Sequence, residues 1–173
     1  MRLTAAHEAG HAVVAIALGR RIEQATIEAA GPHVAYTSPH EGDPSLTLMT
    51  ALITSAAGPL AEGMALGRVR RPHPDELLQR LHQLEHGWCD LCRQARFVSL
   101  IPDLDDTQRV ALWQAAYATA DALLDRIEFR LAVARVAHAL TERTTLDDAE
   151  VEALVDRATL RAAAADTIER TAP

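Results

Sequence analysis

Thr4-Ala5-Ala6-His7-Glu8-Ala9-Gly10-His11-Ala12-Val13-Val14-Ala15-Ile16-Ala17-Leu18 is a run of good helix formers with an N-cap candidate in Thr4 and a stop at Gly19, and it predicts one amphipathic helix. Its longest purely apolar portion, Ala12 to Leu18, is far short of the roughly 20 residues that a bilayer crossing needs. No basic region precedes an apolar segment in the manner of a secretory leader, so the expectation is a soluble, cytoplasmic protein without a membrane span. The 173 residues are 49% hydrophobic and 24% charged, which suits one domain, 1–173, able to bury its own core. Seventeen basic residues, all arginine, stand against 24 acidic ones and give a formal charge of −7. That is the wrong sign for a protein that tracks phosphate backbones, and nucleic acid is not an expected partner.

Outward from the first helix, Ile22, Ala25 and Ile27 and then Val34 and Tyr36 flank Gly31-Pro32, as in a short β-hairpin. The loop His40 to Pro44 leads to a second helix, Ser45 to Leu66, with Leu48, Leu52, Ala56 and Leu60 at helical spacing and a kink expected at Pro59. A linker, Arg68 to Pro74, precedes a third helix from Pro74 to His86 that Gly87 ends, and a fourth is expected from Trp88 to Leu100. One long helix then runs from Asp105 to Leu140, its apolar stripe Val110, Trp113, Tyr117, Leu124, Ile127, Leu131 and Ala134. Thr145 and Asp148 resemble a capping box that opens a last helix to Ile168. The sum is a mainly α fold with one small hairpin, divided into a metal-site half, 1–100, and a C-terminal helical half, 101–173.

His7-Glu8-Ala9-Gly10-His11 is H-E-x-x-H on that first helix. Residues i and i+4 share a face one turn apart, so both imidazoles can reach one metal ion. Glu8 lies at the adjoining angle, where a carboxylate can take a proton from metal-activated water and hand it to a leaving amine. A catalytic zinc needs a third protein ligand. Asp90, Glu62, the pair His82 and His86 and the pair Cys89 and Cys92 compete for that role. The two cysteines with His7 and His11 would form a closed structural zinc site, with no position open for chemistry. His82 and His86 are otherwise two solvated residues on a surface helix.

The order of these features resembles the peptidase domain of FtsH-type ATP-dependent zinc metalloproteases. The resemblance rests on His7 to Val14, on a hairpin ending near Ala35-Tyr36-Thr37, on Ala56-Ala57-Gly58-Pro59-Leu60-Ala61-Glu62 and on Gly87-Trp88-Cys89-Asp90-Leu91. It runs over nearly the whole chain, including Leu140-Thr141-Glu142 before Thr145-Leu146-Asp147 and a closing helix. What it implies is a helical zincin-like domain binding Zn2+ through His7, His11 and Asp90, with Glu8 as catalytic base. Glu62 falls where the family has a carboxylate, in a role supporting a ligating imidazole. Trp88 and Cys89 replace the small and amide residues that usually precede the family's aspartate, and Pro59 replaces an arginine.

A phosphate-binding loop is missing and, with no lysine anywhere, no Walker lysine is possible. The family's membrane anchor is not expected in this sequence either. The resemblance therefore implies a zinc metalloendopeptidase without its own unfoldase, acting on extended polypeptide alone or beside a separate AAA+ ATPase, with homo-oligomerisation an open expectation. The competing function is a non-catalytic, zinc-stabilised regulatory or interaction module on a degenerated peptidase scaffold; Glu8 favours the enzyme, because a structural zinc needs no base beside its histidines.

Overall fold

Alanine and glycine make up so much of the first helix, α1 (Leu3–Ala17), that other elements can close on it from every side. In the computed structural model, which describes residues 2–28, 31–36, 44–83, 87 and 89–171, every residue from Ala5 to Ala17 except His7 is buried. The expected amphipathic helix is thus a central one, buried all round. It starts two residues earlier than its sequence suggests: Arg2 holds the N-cap position without a side-chain bond, and Thr4 lies inside the helix. Gly19, at φ +88°, turns the chain out of α1 in a conformation that suits glycine.

The hairpin follows as β1 (Ile22–Thr26) and β2 (His33–Tyr36), antiparallel, with Ile22 opposite Tyr36 and Thr26 opposite His33. It is not alone. A third strand, β3 (Thr145–Asp147), pairs antiparallel with the other edge of β1 and gives the order β2-β1-β3. Leu146 is fully buried opposite Ala25, and that burial draws the segment into the sheet rather than into a helix. The cap expected at Thr145 and Asp148 accordingly moves: Asp147 and Glu150 form the capping box that opens α7 (Asp148–Leu154).

The second helix, α2 (Pro44–Ala65), carries through Pro59 and lies hard against α1. A Cβ built on Gly10 would stand 2.6 Å from the Ala57 carbonyl oxygen and 2.6 Å from the Ala61 Cβ, so only glycine permits this approach. Of the loop expected at His40 to Pro44, Pro44 opens α2, while residues 40–43, with Thr37 at the end of the hairpin, His86 and Trp88, lie outside the described residues. α3 (Pro74–Leu81) is shorter than expected; it is opened by a His73–Glu76 capping box and ends at His82. α4 (Asp90–Ser99) starts two residues later than expected, with Cys89 as its N-cap.

The single long helix expected from Asp105 to Leu140 is two, α5 (Asp106–Asp125) and α6 (Ile127–Arg143). Arg126 between them is extended, at φ −72° and ψ 143°, and its guanidinium binds Glu128 and Asp166. That distant anchor holds the break, and no glycine or proline marks it locally. The break also rephases the apolar stripe. Trp113, Tyr117 and Leu124 are buried as expected, but Ile127 and Leu131 are 61% and 50% exposed and Ala134 is exposed too. Phe129, Val133, Val136 and Leu140 face the core instead. The last expected helix is likewise two, α7 and α8 (Arg157–Thr171), parted at extended Val155, after which the Asp156 carboxylate caps by accepting from the Thr159 N–H.

One contiguous apolar core joins the two expected halves: Val13 and Ile16 of α1 belong to the same cluster as Phe129, Val136 and Leu140 of α6 and Leu160 of α8. The close approach at Gly10 supplies a test. Gly10→Ala should improve helix propensity by up to about 1 kcal/mol. The new methyl meets a backbone carbonyl that cannot yield, and overpacking of this kind costs about 1–3 kcal/mol. The expected outcome is a lower denaturant midpoint for the variant; an unchanged or raised midpoint would show that the helices can part without loss.

Candidate metal centre

The one-turn spacing of His7 and His11 places their rings edge to face, with centroids 4.8 Å apart and planes at 80°. What holds each ring comes from α2. The Nδ1–H of His11 donates to the carbonyl oxygen of Thr54 at 2.8 Å, and because a carbonyl only accepts, that bond fixes the tautomer and leaves Nε2 as the outward atom. On His7, Nδ1 lies 2.9 Å from Oε2 of Glu62. That contact is one through which a carboxylate can fix the orientation of an imidazole from behind. Gly58 provides room: a Cβ there would lie 2.3 Å from the His11 Nε2 atom, so the ring rests directly on the α2 backbone.

Asp90, in the first turn of α4, closes the group. Its Oδ2 is 2.8 Å from Nε2 of His7 and its Oδ1 is 3.3 Å from Nε2 of His11. The ligand atoms of His7, His11 and Asp90 all lie within 4.8 Å of one another, a span that one cation could bridge. The donor chemistry fits: two imidazole nitrogens with their far sides already engaged, plus one carboxylate, are a ligand set that suits zinc. Asp90 is itself braced. The Ser55 hydroxyl donates to the Asp90 carbonyl at 3.4 Å, the Gln94 amide donates to the Ser55 hydroxyl at 3.4 Å, and Trp113 Nε1–H donates to the Gln94 oxygen at 2.7 Å. Gln94 is fully buried, so this chain ties α5 to α4 and α4 to α2 beneath the site.

Glu8 lies beside the two histidines, buried, at a hollow of about 250 Å3 that His7, His11, Asp90, His33 and Cys89 also line. Burial pushes its carboxyl up, against the opposing pull of His11 and His7. A larger cavity of about 500 Å3 shares His11 and Asp90 with the first. The cysteines stand apart from the ligand group: their Sγ atoms contact each other at 2.9 Å, Cys92 is buried and Cys89 is exposed. The two-histidine, two-cysteine arrangement is not assembled. His82 pairs with Asp106 at 3.1 Å, and its expected companion His86 lies outside the described residues. The sequence alone did not reveal Thr54, which acts through its backbone, nor Ser55 and Gln94; the run Ala56-Ala57-Gly58 was the one local sign that α2 approaches the histidines closely.

Without a cation, His7 and Asp90 form an ion pair. Burial works to lower the His7 imidazole, but the hydrogen bonds and charges of Asp90 and Glu62 outweigh it and raise it from 6.5 to about 9. Burial works to raise the Asp90 carboxyl, and His11 and His7 outweigh that, holding it well below its ordinary 3.8. A raised His7 adds its stability in full below pH 6.5 and loses it as pH climbs through about 9. A lowered Asp90 adds its stability above 3.8 and loses it as pH falls below that value. Chelator-treated protein should therefore melt highest between these limits, with Tm falling toward and beyond pH 9, and His7→Gln should remove the alkaline fall. A parent protein whose Tm does not change across that range would contradict the ion pair.

Compared with protein-family models and with curated proteins, the chain matches none, so its functional reading rests on the geometry of this site.

Proposed function

We propose that the protein is a zinc metallopeptidase that hydrolyses peptide bonds in extended polypeptides. The observation that carries this reading is the convergence of two Nε2 atoms on the Asp90 carboxylate, each ring fixed from behind, with the buried Glu8 alongside. His7, His11 and Asp90 would hold the ion. Zinc bound there supplies a Lewis acid that polarises the substrate carbonyl and makes water a better nucleophile at neutral pH.

The remaining work belongs to the chain. The Glu8 carboxylate accepts a proton from the attacking water and returns it to the leaving amine nitrogen; its burial, by raising its proton affinity, favours the first of these transfers. Glu62 and the Thr54 carbonyl hold the two imidazoles in the ligating orientation throughout. The resemblance to FtsH-type peptidase domains supports the same roles for the same residues. No lysine in these 173 residues can serve a nucleotide-binding loop, so any unfolding of substrate is done by residues outside them.

The ligand set is tested by zinc content after equilibration at limiting metal. Asp90→Ala should bind zinc far more weakly than the parent, whereas the double variant Cys89→Ser, Cys92→Ser should retain it. X-ray absorption should show only nitrogen and oxygen near about 2.0–2.2 Å; sulfur scattering near about 2.3 Å would overturn the aspartate assignment.

The catalytic role is tested at Glu8. Glu8→Gln should keep the fold and the zinc while lowering hydrolysis of unfolded polypeptide by about 10²–10⁴-fold, because an amide cannot serve as the base. Zinc-loaded parent protein inert toward a broad panel of unfolded substrates would instead favour the non-catalytic, zinc-stabilised module.

A further inference from the structure

The cavity of about 500 Å3 beside the metal centre brings three arginines together. The formal charge is −7, and Arg21, Arg70, Arg71, Arg126, Arg143 and Arg170 each pair with a carboxylate. Three arginines that line this cavity, Arg20, Arg93 and Arg96, have no carboxylate partner among the described residues. Arg20 lies over the ring of Tyr36, 4.1 Å from its centre, and its Nε is buried without a hydrogen-bond partner. Cation–π contact holds that guanidinium in place without neutralising it. Arg93 and Arg96 stand three residues apart on α4, whose first residue is Asp90, so they share a face one turn from the metal centre. Val34, Phe97 and Leu100 supply apolar lining between the charges.

A half-buried cation with an unmet donor, joined by two more in a hollow that also contains two of the candidate ligands, is suited to receive an anion that arrives with the substrate. We infer that this cavity is the specificity subsite for a carboxylate on the polypeptide, bound by Arg20, Arg93 and Arg96 beside the bond to be cut. The carboxylate is either an acidic side chain or a free C-terminus. The word substrate here rests on the peptidase reading, whereas binding of the carboxylate does not require hydrolysis.

The test uses zinc-loaded Glu8→Gln protein and fluorescent peptides of one length: one with an internal Glu and an amidated end, one with Gln there and a free C-terminal carboxylate, and one with Gln and an amidated end. At least one carboxylate peptide should bind about tenfold tighter than the uncharged one. The double variant Arg93→Gln, Arg96→Gln, made in the same background, should erase that advantage while leaving zinc content and neutral-peptide affinity unchanged. Arg20→Gln should reduce it as well; should that variant fail to fold because it loses its seat on Tyr36, the exposed pair decides alone. The first two peptides tell side chain from terminus. Equal affinity for all three peptides overturns the subsite, as does an advantage that survives in the double variant, which would place the carboxylate on the metal. Cleavage of the uncharged peptide by parent protein reports on the peptidase reading separately: cleavage without a carboxylate preference removes the subsite alone, and a preference in binding without any cleavage removes the peptidase alone.

Discussion

The closeness of α1 to α2 is the constraint from which the site follows. Helices usually pack with axes 8–10 Å apart, and the lower end is reached only where side chains are small. Here Gly10 meets Ala57 and Ala61, and one residue on along each helix, Gly58 meets His11. Because the backbones come so near, a main-chain carbonyl of α2 reaches the His11 ring and a carboxylate of the same helix reaches His7. A larger residue at any of these positions would move the supports away from the imidazoles even if every ligand remained. The abundance of alanine along α1 and the middle of α2 therefore has a mechanical meaning in addition to its helix propensity.

Electrostatics then sharpens what packing begins. A carboxylate in a mostly buried place is costly unless it is met by positive charge and hydrogen bonds. Asp90 is met by two imidazoles and lies in the first turn of α4, where the helix dipole favours negative charge. A proton on His7 and a divalent cation between the rings are alternative ways of satisfying the same three groups. For the proposed ion, this competition would make affinity fall in acid, since protons must leave before the ion can enter.

The histidines, Glu8, Asp90 and Glu62 were legible from local pattern and family resemblance, and all five come together. The mainly helical class was legible as well, because 3.6-residue periodicity is strong in most segments. The breaks at Arg126 and Val155 were not. Neither carries glycine or proline, and the first is anchored by an ion pair to Asp166, distant in sequence. β3 was hidden for a related reason: three residues are too few to show alternation, and the partner that makes them a strand lies far back in the chain. The exposure of Ile127 and Leu131 follows from the first break, since a helix restarted after an extended residue need not keep its earlier phase. Thr54 was invisible because its contribution is a carbonyl, which every residue possesses.

The late strand also sets a timetable for synthesis. Thr26 of β1 and Thr145 of β3 are hydrogen-bonded across 119 residues of sequence. At ordinary translation speeds that separation corresponds to on the order of ten seconds between the emergence of the two strands from the ribosome. For that interval one edge of β1 is open, and the apolar flank of α1 that α6 later covers is bare. The histidine helix is thus made well before α6 and α8, the helices that cover it, and its apolar flank waits for them.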